Sequence, residues 1–167
     1  MRYARSWTIF ATTALIASCS ASTENPLANG LSAEQQALLI EKSIDEIEAT
    51  ENFTPEDFEA RQRKHLEGIS KEMRSAALEN LQKRLNKNRI LEMSQTVELD
   101  RETAAVDTRI EGPKRVLALF TVTGDRSFET SNASQTTETR FALPWVITVD
   151  DGELVFRHQG IRMRDIR

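Results

Sequence analysis

Residues 141–149 have the sequence FALPWVITV, in which a large apolar residue stands at every second position. Successive side chains of a β-strand point to opposite faces of the sheet, so this alternation predicts a strand with one buried face. That face is formed by Phe141, Leu143, Trp145, Ile147 and Val149. Pro144 lies on the opposite face and predicts a sheet edge or a bulge, because proline cannot donate a ladder hydrogen bond.

Further strands are predicted on both sides of this segment. Asp150-Asp151-Gly152 is a hairpin turn signal that leads into a returning strand over 154–163. Upstream, residues 115–123 are almost wholly apolar and predict a central strand buried on both faces. The polar residues from 124 to about 134 predict a loop between the two strands.

Two earlier segments, 91–99 and 104–110, also show alternating apolar residues. They predict two more strands. The C-terminal half of the chain is therefore expected to form an antiparallel meander of about five strands.

The apolar spacing before this meander is helical. Ser32 and Gln35 form a capping-box pattern at the start of a first helix, which is expected to end near residue 49. Thr54-Pro55 predicts the start of a second helix over about 55–86. Gly68 predicts a break or kink inside that helix.

Helices followed by strands predict an α+β fold, with the N-terminal helices packed on one face of a curved antiparallel sheet. This order over residues 32–167 resembles the cone-shaped nuclear-transport-factor-2-like fold and, less closely, the cystatin-like helix-on-sheet fold. The resemblance implies a cone that often encloses a pocket, which some members use for catalysis and others for binding or dimerisation. We expect residues 32–167 to form a single domain.

The charge of the predicted helices is uneven. Residues 32–60 carry nine acidic side chains and one basic, whereas residues 61–90 carry nine basic and three acidic. Neighbouring helices of opposite charge are expected to attract each other, the alternative being a basic face for anionic lipid headgroups. The chain as a whole has a net charge of −4, which argues against a nucleic-acid partner.

The N-terminus carries an export pattern. Arg2 and Arg5 precede an apolar run over 7–17 that is too short to span a bilayer as a stable helix. The run ends at Ile16-Ala17-Ser18-Cys19, which resembles the lipobox of bacterial lipoproteins. The resemblance implies that residues 1–18 are a signal peptide and that Cys19 is joined to diacylglycerol and becomes the first residue of the mature chain.

Cys19 is the only cysteine of the chain, and a lone cysteine in an exported protein otherwise has no disulfide partner. The alternative is an ordinary secretory signal. Residues 19–31 are expected to be the lipidated cysteine and a polar tether to the membrane. In the lipoprotein family, aspartate directly after the cysteine retains a protein at the inner membrane, so Ser20 implies the outer membrane, facing the periplasm.

The candidate active-site residues are few. His158 is a possible general base beside Asp107 or Glu138, because strands can direct all three side chains into one pocket. The alternative is that His158 is a solvent-facing strand residue. Neither histidine has a partner at metal-ligand spacing, and there is no glycine-rich phosphate loop. The sequence therefore predicts no metal site, no cofactor and no assigned catalytic residue.

Two functions follow from these observations. The first is a lipid-anchored binding or assembly and accessory module of the cell envelope, held on the membrane through Cys19 and acting on a protein partner there. The second is a small periplasmic enzyme with a pocket and an acid/base site centred on His158. We expect the first.

Replacing Cys19 with alanine tests the anchor. The Cys19→Ala protein is expected to lose processing at residue 18 and to leave the detergent phase in a phase-partitioning assay, because several acyl chains hold a protein durably on a membrane. Ser20→Ala, which keeps the cysteine, is the matched control and should partition like the parent. Unchanged partitioning of the Cys19→Ala protein would contradict lipidation at this residue.

Overall fold

The computed structural model describes residues 26–27 and 29–166, so the predicted signal peptide, Cys19 and most of the tether lie outside the described residues. The helical elements are α1 (Ala33–Glu51), α2 (Phe58–Gly68), a 3₁₀ turn (Lys71–Met73) and α3 (Arg74–Leu91). The strands are β1 (Ser94–Gly112), β2 (Arg115–Thr130), β3 (Ala133–Asp150), β4 (Glu153–His158) and β5 (Arg162–Asp165). The strand order is β1-β2-β3-β4, with β5 also paired to β3, and every pairing is antiparallel. The predicted α+β fold is confirmed.

The inward face of β3 is the one that its alternation predicts. Phe141, Leu143 and Ile147 are fully buried, and Trp145 is 6% exposed. They pack in one core against the even-numbered residues of β2 from 116 to 122 and against apolar residues of α1. Leu27 and Leu31 join the same core, so the folded body includes residues ahead of position 32.

The expectation that residues 115–123 are buried on both faces is wrong. Val116, Ala118 and Phe120 are buried, but Leu119 on the opposite face is 39% exposed. In the described part of the chain, the helices cover one face of the sheet only. The other face, here called the outer face, carries none of the described helices.

The polar segment 124–134 is not a loop. β2 and β3 continue as a paired ladder to Thr130 and Ala133, with only a tight turn between them. Threonine and serine are compatible with a strand, and a polar strand exposed to water lacks the apolar alternation from which strands are predicted.

The division of the other strands also differs from the prediction. Segments 91–99 and 104–110 belong largely to one strand, β1. Its pairing with β2 is interrupted between Asp100 and Ala105, where an advance of five residues in β1 matches an advance of two residues in β2. Such extra residues bend a strand and increase its twist. The returning strand over 154–163 is in turn divided into β4 and β5.

Pro144 marks neither an edge nor a bulge. It lies inside β3, between Trp145, which pairs with His158 of β4, and Ala142, which pairs with Arg162 of β5. The Gln159 N–H donates to the Pro144 carbonyl at 2.8 Å. Pro144 therefore lacks its backbone N–H at the gap between β4 and β5, where the ladder has no strand residue to accept from it. The hairpin turn before β4 is as predicted, with Asp151 and Gly152 at positive φ.

The first helix begins as predicted. The Gln35 N–H donates to Ser32 Oγ at 3.2 Å, and the Ser32 N–H donates to Gln35 Oε1 at 2.8 Å. The second predicted helix is divided in two at Gly68, as expected of a break, and α3 continues to Leu91. None of the described helices is long and apolar enough to cross a membrane.

The second helix begins three residues later than the sequence predicts. Thr54 is not its N-cap: the Thr54 N–H donates to Asp57 Oδ1 at 2.7 Å, which closes a turn ahead of α2. Helical structure therefore begins at Phe58 and not at Pro55. Asp57 also holds Arg61 Nε at 2.5 Å, one turn along α2.

A buried carboxylate joins the helices to the sheet. Glu51, the last residue of α1, is 0% exposed. Its two oxygens accept from the Arg84 guanidinium of α3 at 3.2 and 3.0 Å, and one of them also accepts from Gln95 Nε2 of β1 at 2.9 Å. The expected attraction between the acidic first helix and the basic residues after it is realised in this pair.

Truncation of Trp145 tests this core. Its indole N–H donates to Ser43 Oγ of α1 at 2.9 Å, so Trp145→Ala removes both a large buried surface and the partner of a buried hydroxyl. We expect a loss of about 3–5 kcal/mol in the free energy of unfolding. Thr148→Ala, on the outer face of the same strand, should change it by less than about 0.5 kcal/mol.

The measurement is urea denaturation of a soluble form that begins at Pro26 and so keeps Leu27, followed by far-ultraviolet circular dichroism. Equal unfolding midpoints for Trp145→Ala and the parent would place the indole outside the core.

Candidate functional site

His158 is the most deeply placed ionisable group of the sheet. It ends β4 directly opposite Trp145, which puts both side chains on the inward face, and it is 1% exposed. The Trp145 ring meets it edge-on at 5.4 Å between centroids, and the His65 ring stacks on it at 4.6 Å. His158 is therefore a core residue and not a solvent-facing strand residue.

The C-terminal end of α2 packs closely against this imidazole. A Cβ at Gly68 would lie 2.3 Å from His158 Nε2, closer than any real contact. Just beyond Gly68, the Ser70 N–H donates to the His158 carbonyl at 2.8 Å, and Ile69 forms a parallel bridge with His158. Only glycine allows the helix to approach the histidine ring at this distance.

Three side chains from three elements form what we call the histidine cluster: Glu46 of α1, His65 of α2 and His158 of β4. His65 Nδ1 is hydrogen-bonded to Glu46 Oε1. The same carboxylate oxygen accepts from Thr50 Oγ1 at 3.3 Å and lies 3.6 Å from His158 Nε2. All three ligand-type atoms lie within 4.8 Å of one another.

Burial and charge set the protonation of the cluster. Burial, together with the positive potential of His65, lowers the pKa of His158 to about 4, so its imidazole is neutral at pH 7. Burial raises the pKa of Glu46, but the hydrogen bond from His65 and the Coulombic attraction of the histidines when they are protonated outweigh it, and the pKa of Glu46 lies below its usual value. Glu46 is therefore an ionised carboxylate beside a neutral buried imidazole.

The cluster borders two open clefts. One, of about 390 Å³ between α1 and α2, is lined by Glu46, Thr50, Arg61, Lys64 and His65. The other, of about 440 Å³, lies between the helices α2 and α3 and the segment 159–163, and His65 forms part of its wall too. The side chains of Glu46 and His65 keep 25% and 9% of their surface exposed. The pair is therefore accessible from solvent, while His158 lies behind it.

The structure does not bring the predicted partners to His158. Asp107 pairs with Leu119, which pairs with Pro144, and all three belong to the outer face. Glu138 is exposed and adjoins the buried Thr139 in β3, so it too points to the outer face. The side chains that do accompany His158, Glu46 and His65, were not among the predicted site residues.

The cluster contains the pairing that acid/base chemistry needs, a carboxylate hydrogen-bonded to an imidazole at a cleft wall. The histidine in that position is His65 and not His158. Two imidazoles and one carboxylate are also a set of metal ligands, which the spacing along the sequence did not predict.

No protein-family model matches the sequence, and no curated protein matches it. Several solved structures share its fold. An IcmL-like type IV secretion system protein from Legionella pneumophila superposes with a TM-score of 0.57 at 14% identity, over 79% of this chain and 94% of that one.

Two further structures are similar. A periplasmic fragment of TraM matches with a TM-score of 0.54 at 10% identity, over 80% of this chain and 98% of that one. CagV, a VirB8 homolog of the type IV secretion system of Helicobacter pylori, matches with a TM-score of 0.52 at 9% identity, over 78% and 99%. These neighbours have a nuclear-transport-factor-2-like fold, so that resemblance is confirmed for the fold.

Adding one methyl group at position 68 tests the contact with His158. Alanine is a better helix former than glycine by about 1 kcal/mol, yet we expect Gly68→Ala to destabilise the domain by about 1–3 kcal/mol because its Cβ meets the imidazole. Gly112→Ala is the control, since a Cβ there meets nothing within 4 Å. Urea denaturation measures both variants.

A double-mutant cycle identifies the cause. In a His158→Ala background the obstructing ring is gone, so Gly68→Ala should lose most of its effect. An equal penalty in both backgrounds would mean that the glycine is required for another reason.

Proposed function

We propose that this chain is a lipid-anchored module of the bacterial cell envelope that works by binding and assembling protein partners, on the periplasmic side, as a component or accessory of a secretion-type machine. The carrying observation is that solved type IV secretion proteins share its fold over 94% and 99% of their own resolved chains. A third neighbour is a periplasmic fragment matched over 98% of its length. The likeness thus extends over essentially the whole of each matched chain.

The position of the N-terminal segment supports a defined orientation on the membrane. Leu27 is fully buried, and Gly30 lies against Ile110 near the turn between β1 and β2. Eight residue steps separate Leu27 from Cys19, a reach of at most about 29 Å. A lipid on Cys19 would therefore hold the β1–β2 turn toward the membrane.

The opposite end of the molecule would then face the periplasm. β2 has 16 residues, so the turn at its far end, between Thr130 and Ala133, lies about 50 Å from the turn at its start. The polar hairpin there would project away from the membrane, and the sheet faces would stand roughly upright on it.

The outer face of the sheet offers the partner a surface. Leu119 is 39% exposed there, and a cleft of about 270 Å³ runs past Asp107, Leu119 and Pro144. Large apolar residues exposed beside a shallow cleft are typical of protein interaction surfaces. The net charge of −4 argues against nucleic acid as the partner.

Affinity purification from detergent-solubilised membranes, followed by mass spectrometry, tests the proposal. We expect envelope proteins to co-purify in fixed ratio with the parent and with Leu78→Ser, and to be lost with Leu119→Ser. Leu78 is the matched control because it is 49% exposed on α3, away from the outer face. The same membranes, separated on a sucrose gradient, report whether the chain follows outer-membrane markers.

Two results would contradict the proposal. One is the absence of any envelope protein in fixed ratio with the parent. The other is equal loss of partners from the Leu78→Ser and Leu119→Ser proteins, which would mean that the outer face is not the surface that binds them.

A further inference from the structure

We propose that Glu46, His65 and His158 bind a divalent transition-metal ion, and that Zn²⁺ is the ion their donor set fits best. Two imidazole nitrogens and one carboxylate oxygen are ligands that zinc takes in catalytic and other open sites. This inference is independent of the proposed assembly function and of the lipid anchor.

The separations of the ligand atoms suit one ion. Tetrahedral zinc with bonds of about 2.0–2.1 Å holds its ligand atoms about 3.3 Å apart. Glu46 Oε1 and His158 Nε2 are 3.6 Å apart, too far for a hydrogen bond, and the full set lies within 4.8 Å. Glu46 Oε1 and His65 Nδ1 are in closer contact and would separate as the ion enters between them.

An orphaned atom points to a missing partner at this place. His158 Nε2 is buried and makes no hydrogen bond. An unsatisfied buried polar atom costs free energy and is uncommon in native proteins. It faces Glu46 Oε1 at 3.6 Å. With His158 in the tautomer that leaves this nitrogen a lone pair, a bound ion between the two would satisfy both.

The ion would have an entry path and a free coordination position. Glu46 and His65 line the α1–α2 cleft, so water can reach the ion from that side. Arg61 and Lys64 line the same cleft, and their charge favours an anionic ligand, such as hydroxide or a carboxylate, in the fourth position. The site is thus of the open kind, with three protein ligands.

Each imidazole must present a lone pair to the ion. For His65 this requires its proton on Nε2. For His158 it requires the proton on Nδ1. In the structure, Nδ1 instead accepts a hydrogen bond from the Gly160 N–H at 3.3 Å. Gly160 has φ of +90° and can equally adopt a negative φ, so rotation of the 159–160 peptide would turn the Gln159 carbonyl toward that proton. A carbonyl partner on the second nitrogen is what a metal-bound histidine usually has.

Zinc titration of the full chain tests the site. The protein is purified in detergent without a polyhistidine tag, stripped with a chelator and titrated calorimetrically with Zn²⁺. We expect one ion per chain, a thermal unfolding midpoint raised by several degrees at saturating zinc, and at least a tenfold weaker affinity in His65→Asn, His158→Asn and Glu46→Gln. Glu48→Gln, on the exposed face of α1, is the control and should bind like the parent.

Cobalt distinguishes this site from the thiol of Cys19. Co²⁺ bound by nitrogen and oxygen gives visible ligand-field bands without the near-ultraviolet charge-transfer band of a thiolate. A thiolate band, no binding at one equivalent, or full affinity in the His65→Asn protein would overturn the proposal. If His158→Asn fails to fold by circular dichroism, the variants of Glu46 and His65, which border solvent, decide the result.

Discussion

The arrangement of the helices depends on a carboxylate that has no access to water. Burying an ionised group costs several kcal/mol unless it is paired and hydrogen-bonded, so Glu51 tolerates few arrangements of its neighbours. Arg84 donates from both terminal guanidinium nitrogens, and Gln95 Nε2 donates to both the side chain and the backbone carbonyl of Glu51. Gln62 completes the set by accepting from Arg84 at 2.8 Å. One contact region thus fixes α1, α2, α3 and β1 relative to one another.

This polar junction has a structural reason. α1 packs on β1 and β2 through the main core, whereas α3 meets the rest of the domain through a separate small apolar cluster formed by Phe53, Phe58, Leu81 and Leu85. A cluster of four buried residues cannot by itself define where a helix of 18 residues lies. The bidentate Arg84–Glu51 pair supplies the directional constraint, because its geometry admits one orientation of the guanidinium.

The sequence predicted what local chemistry determines. The inward face of β3, the hairpin at Asp151, the capping box at Ser32 and the break at Gly68 each depend on residues a few positions apart. The strand pairing of 124–134 depends instead on two neighbouring strands and has no local apolar signature. The sheet face to which Asp107 and Glu138 point could not be predicted either, because a shift of one residue in register exchanges the two faces of a strand. Glu46, His65 and His158 come together across three elements, and the role of Gly68 as a contact to His158 is visible only once those elements are assembled.

The interruption between β4 and β5 has a consequence for how the sheet opens. Within the described sheet, β5 pairs only with β3, over four residue pairs, and Pro144 contributes no donor at the gap between β5 and β4. Amide protons in β5 can therefore exchange with solvent by local fraying while the ladder of β4, closed by the Asp151 turn, stays protected. Such fraying uncovers the backbone of residues 139–142 in β3, a stretch of unpaired sheet edge that a strand from a neighbouring molecule can extend.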